Sequence, residues 1–61
     1  MRLQEKVARK IAWESAVAEN LSHALFYSQD SSWNIRLTGR QRDHYRELAM
    51  EIIDLVRSET L

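Results

Sequence analysis

Cysteine and proline are absent from this 61-residue chain, and glycine occurs once, as Gly39. Without a thiol there is no disulfide framework, no thiolate zinc site and no thiol nucleophile. One glycine cannot build a phosphate-cradling loop of the P-loop or dinucleotide type, where several are needed for close backbone approach. Long apolar runs are missing as well: nothing nears the roughly 18–20 residues of a membrane-spanning helix. Charge of one sign is also lacking, since nine Lys and Arg offset nine Asp and Glu. That balance excludes a uniformly basic nucleic-acid binder and an acidic solvating tail. The first residues do not read as a signal peptide, because Arg2, Glu5, Lys6, Arg9 and Lys10 interrupt their apolar positions. One cytoplasmic domain, with no membrane contact, is expected.

What is present is apolar periodicity. Leu3, Val7, Ile11, Ala18, Leu21 and Leu25 fall within about 80° of one another at 100° per residue, which predicts a helix over 3–27. Val17, Ala24 and Trp13 widen this stripe, and Arg2, Glu5, Arg9, Glu19, Asn20 and His23 form the opposite face. Glu14 alone sits inside the stripe. At about 1.5 Å per residue such a helix is roughly 37 Å long, the length of a bundle member.

A second helix is predicted over 39–57. Thr38-Gly39-Arg40-Gln41 fits the capping box, in which Thr38 accepts from a first-turn N–H and Gln41 reaches back to the Thr38 N–H. Tyr45, Leu48, Ala49, Ile52, Leu55 and Val56 then recur at the helical period. The last residues, 58–61, are expected to fray. Between the helices lies a long connector, 28–37. Its Gln29-Asp30-Ser31-Ser32 portion is turn-like, and Trp33-Asn34-Ile35-Arg36-Leu37 alternates apolar and polar. Trp33, Ile35 and Leu37 would share one side of an extended segment. It is read either as a strap over the open end of the helix pair or as a short strand that pairs with a second copy.

Charge is laid out in four blocks. Residues 1–13 carry a net of +3, 14–35 a net of −3, 36–46 a net of +3 and 47–61 a net of −3. Antiparallel helices set unlike blocks side by side at both ends. Each exposed pair contributes little, but a parallel register is disfavoured. Cations near the helix starts oppose the helix dipoles, so helix propensity did not place them.

Size adds a second argument. The unfolded chain of 7.2 kDa exposes about 10,400 Å² and a compact globule about 4,100 Å². If roughly 60 % of the difference is apolar, burial at ~25 cal/mol/Å² supplies about 95 kcal/mol. Ordering the chain costs about 90 kcal/mol at ~1.5 kcal/mol per residue. The two nearly cancel. With no staple, a second copy is the expected remedy.

Catalytic constellations are not legible. His23 and His44 lie on different predicted helices, without the spacing of a helical zinc pair. His44 beside Asp43 has the make-up of a base, yet a polar-face histidine is ordinarily just solvated. Ser15, Ser22 and Ser28 have no base nearby. Glu14 reads as a seam residue paired to a cation across a dimer, or as a buried acid with a raised pKa. A non-enzymatic protein with no metal or cofactor is expected.

Two surfaces remain. The first is a dimer or partner interface made by Leu3, Val7, Ile11, Trp13, Leu21 and Leu25 from the first half. Trp33, Tyr45, Leu48, Ile52, Leu55 and Val56 supply the second. Both tryptophans and the Met50/Ile53 shoulder would be exposed on a monomer, and large apolar patches mark interfaces. The second surface is the cluster Arg36, Arg40, Arg42 and Arg46, where guanidinium groups and free first-turn N–H groups suit a phosphate, a nucleic acid or a partner carboxylate.

The segment Glu5–Ala12, followed by a Trp, a Leu and then Arg42, Tyr45, Arg46, Ala49 and Ile52, resembles a pattern of small phage and proteobacterial helical proteins. That resemblance covers most of the chain and implies no activity of its own. The run from Trp33 also looks like the strand and first helix of ribbon-helix-helix repressors, which would give Asn34 and Arg36 a role in the major groove. Here no second helix follows, and a long helix precedes the strand. The expected architecture is an all-α antiparallel helical hairpin that dimerises into a four-helix bundle and binds an unidentified protein. The alternative is a dimeric nucleic-acid-binding protein that uses the arginine cluster.

Overall fold

The capping box at Thr38 forms as the sequence predicts. Gln41 Oε1 accepts from the Thr38 N–H at 2.9 Å, and the Gln41 N–H donates to Thr38 Oγ1 at 3.1 Å. In the computed structural model, which describes residues 1–20 and 25–60, this box opens the longest element. The helices are α1 (Leu3–Ala18), the single-turn α2 (Gln29–Ser31) and α3 (Gly39–Thr60), with a π-helical turn at Ser32–Arg36 between the last two. Among the described residues every regular element is helical. No helix there is long and apolar enough to cross a membrane.

The first helix is shorter than the 3–27 predicted. It stops at Ala18, where the Glu19 N–H donates to the Ser15 carbonyl and the Asn20 N–H to that of Val17. Asn20 then takes φ 54°, the left-handed region that asparagine tolerates and that commonly ends a helix. The apolar period continued past this break and concealed it. Of the expected stripe, Leu21 and Ala24 lie outside the described residues, as do His23 and Ser22. The second helix exceeds its predicted end at 57 and runs to Thr60, since no glycine or proline intervenes.

The connector is neither an extended strap nor a strand. Ser28 caps α2 by accepting the Ser31 N–H on its hydroxyl at 3.2 Å, and the chain coils on through the π turn before Leu37 returns to extended backbone. Local serine capping outweighed the alternation. Instead of sharing a side, Trp33 is buried, Leu37 half-buried and Ile35 exposed.

The buried face of α1 differs from the stripe of large aliphatics. It is Ala8, Ala12 and Ala16, one turn apart, and α3 answers with Ala49 and Ile53. Small side chains let helix axes approach closely. Leu3 and Val7 meet Ile53 and Val56 at one end, while Ala12 and Ala16 meet Tyr45 and Gln41 at the other, so α1 and α3 run in opposite directions. Trp33 closes one side of this pair and packs with Ala8, Ala12 and Ala49. Both tryptophans and Ile53 were expected to be exposed on a single chain. Instead Trp33 and Ile53 are buried and Trp13 is half-buried.

Candidate functional site

Around Trp33 the chain gathers three of its seven arginines. The guanidinium carbons of Arg9 and Arg46 lie 5.7 and 5.5 Å from the ring centroid, where the electron-rich face of the indole attracts a cation. Arg42 donates from Nη1 to the carbonyls of Trp33 and Asn34 at 3.4 Å, tying the π turn to α3. Carboxylates hold the arginines in turn. Asp30 accepts from Arg9 at 3.1 Å, and Asp43 from Arg46 at 2.9 Å. Glu5 takes Arg46 in a fork, from Nε at 3.0 and 3.1 Å and from Nη2 at 2.8 Å. Gln4 Nε2 adds a hydrogen bond to the Arg46 carbonyl. Planar two-point pairing of this kind is the strong form of an ion pair.

The fork holds the Glu5 carboxyl below its ordinary value of 4.5, chiefly through the hydrogen bonds from Arg46, and raises Arg46 for the same reason. A depressed carboxylate stabilises the folded chain above its unfolded pKa and loses that contribution as pH falls through its folded value. Acid melts therefore provide a test. Between neutral pH and pH below 4.5, the wild type should lose more stability than Glu5→Gln, whose acid limb is flatter. Equal slopes in a pH series of thermal melts would contradict the fork's role.

The arginine cluster is thus only partly a surface feature. Arg46 and Arg42 are half-buried and committed to the Trp33 turn. Arg36 lies over the Tyr27 ring, 5.8 Å from its centroid, and Arg40 is exposed with no partner among the described residues. His44 is exposed and meets Tyr45 edge-on, while the neighbouring Asp43 is occupied by Arg46. Glu14 is exposed, 2.7 Å from Lys10 on its own helix, so it is not a buried acid.

On the opposite side from Trp33, the large aliphatics predicted as an interface form one face. Leu3 is 57 % exposed, Leu55 66 % and Val56 58 %, with Ile52 at 43 %. Val7, Ile11, Leu48 and Tyr45 are half-buried, and Val7, Ile11 and Tyr45 pack against the cluster of Ala8, Ala12, Trp33 and Ala49. Between the helices, Leu3, Val7, Ile52, Ile53 and Val56 line an open groove of about 260 Å³. Leu25 is exposed and lies beyond the break that follows α1. Trp33 belongs to the interior rather than this face, and the alanine stripe is the packing surface that hydrophobicity alone did not reveal.

Comparison of the chain with protein families, with curated proteins and with solved structures finds no match.

Proposed function

We propose that the chain is a non-enzymatic helical hairpin that dimerises into a four-helix bundle and acts by binding another protein in the cytoplasm. This is the behaviour expected of the small phage and proteobacterial helical proteins its sequence resembles. The observation that carries the reading is the aliphatic face of α1 and α3. Leu3, Ile52, Leu55 and Val56 stand well exposed along one side of the molecule, and among the described residues Trp33 is the one large aromatic that is buried. The chain exposes 4648 Å², against about 4,100 Å² for a compact globule of this mass. The excess supports the reading of the chain as a half-bundle.

Mass action provides the test. A fold completed by a second copy melts higher at higher concentration, and a hundredfold increase adds about 2.7 kcal/mol of stability. For a domain of this size that corresponds to a rise on the order of 10 °C in Tm. A midpoint independent of concentration would rule the reading out.

The nucleic-acid alternative rests on Arg36 and Arg40, the exposed members of the cluster, which a dimer would duplicate. Gel shifts at low salt should show no binding to duplex DNA or RNA. A shift that fades steeply with added salt would favour the alternative instead.

A further inference from the structure

At the end of the helix pair away from the apolar groove, α1 and α3 border a second cavity, of about 290 Å³ and with a mainly polar lining. Ala12 and Ala16 form its α1 wall, and side chains that small leave the space open. Polar groups converge on it from three elements. Ser15 and Glu19 come from the end of α1, Arg36 from the π turn, and Gln41 and Tyr45 from the first turns of α3.

Glu19 and Arg36 bring opposite charges to one cavity, yet no ion pair joins them, and neither has another ion-pair partner among the described residues. Separate parts of the fold hold them. Glu19 caps α1 with its N–H bonded to the Ser15 carbonyl, and Arg36 lies over the Tyr27 ring. The Ser15 and Tyr45 hydroxyls make no hydrogen bond among the described residues. Gln41 commits its Oε1 to the Thr38 N–H, which leaves its Nε2 hydrogens for another acceptor. An anion alone would meet Glu19 as a like charge, and a cation alone would meet Arg36. A guest that carries both charges satisfies the two together. The volume limits its size, since about 290 Å³ stands at the lower end of small-molecule sites, roughly 300–1,000 Å³.

We propose that this cavity binds a free amino acid as its zwitterion, with the ammonium on the Glu19 carboxylate and the carboxylate on the Arg36 guanidinium. Ser15, Gln41 and Tyr45 hydrogen-bond its remaining polar atoms. Both end contacts are charge-assisted hydrogen bonds, the strong kind. The antiparallel helices reinforce the same polarity, because the carbonyl end of α1 favours a cation and the amide end of α3 an anion. None of these residues lines the apolar groove, so the site stands apart from the dimer reading.

Amide-resolved magnetic resonance titrations of the intact chain with glycine, L-serine and L-glutamine at millimolar concentration provide the test. At least one should shift the amides of residues 15–19 and 36–45 saturably and leave those around the apolar groove in place. Its N-acetyl and carboxamide derivatives each lack one charge and should bind the wild type about tenfold more weakly. Glu19→Gln and Arg36→Gln should each weaken binding of the parent amino acid by a similar factor. Both side chains are exposed, so circular dichroism should be unchanged in these variants. If none of the three amino acids shifts the amides, the proposal falls. An N-acetyl derivative that binds as well as its parent would reveal a plain anion site on Arg36, which also overturns it. Folded variants with wild-type affinity would place the guest elsewhere and do the same.

Discussion

Trp33→Ala is expected to unfold the chain at room temperature. Trp33 is 3 % exposed, and among the described residues the rest of the buried apolar set is four alanines and Ile53. Removing a buried tryptophan side chain costs about 3–5 kcal/mol. A single core in a domain this small rarely supplies more than about 3–5 kcal/mol in total. The loss extends beyond the ring. Arg9 and Arg46 would face an empty site, and the π turn that Arg42 ties to α3 would lose its packing. Circular dichroism should show most helicity gone, while Trp33→Phe keeps a folded chain of lower Tm. Native helicity with a cooperative melt in Trp33→Ala would mean that the alanine seam between α1 and α3 holds by itself.

The second large effect comes from two adjacent isoleucines. Ile53 is 7 % exposed in the seam with α1, whereas Ile52 is 43 % exposed at the open groove that Leu3 and Val7 also line. An unpaired buried carboxylate is costly enough to outweigh the stability of a small fold. Ile53→Asp places that carboxylate inside the chain's own seam and should abolish folding at every concentration. Ile52→Asp places it in the proposed interface, twice per dimer. It should yield a monomer of low helicity at micromolar concentration that regains structure in an osmolyte such as trimethylamine N-oxide. Light scattering and circular dichroism on the same samples separate the two outcomes. A well-folded Ile52→Asp dimer would show that the interface lies elsewhere.

These variants also show which parts of the molecule the sequence made legible. The start of α3 was readable because its signal is local: Thr38 and Gln41 lie three residues apart and satisfy each other. The end of α1 was not, because Asn20 breaks the helix by its backbone angle while the apolar period runs on. The π turn was missed for a related reason. Alternation across Trp33, Ile35 and Leu37 suggested an extended segment, but Ser28 and the space beside Ala8, Ala12 and Ala49 favoured a coil that turns Trp33 inward.

The seam between α1 and α3 was hidden by the weight given to large side chains. Ala8, Ala12 and Ala16 contribute little hydrophobicity each, yet their four-residue spacing is the signal that selects close packing. The aliphatics that dominated the periodicity, Leu3, Val7 and Ile11, flank the seam. The candidate site was legible in part. The composition of the aliphatic face can be read directly, whereas the arginine cluster reads as a surface because its main partner, Glu5, lies 41 residues from Arg46 in sequence. No local pattern announces a pair that distant.

Everything turns on whether one chain is enough. Size-exclusion chromatography with light scattering at micromolar concentration measures this directly. Expected is a folded species of twice the 7.2 kDa chain mass, whose helicity declines as dilution dissociates it. A 7.2 kDa species with full helicity and a sharp cooperative melt would contradict the half-bundle.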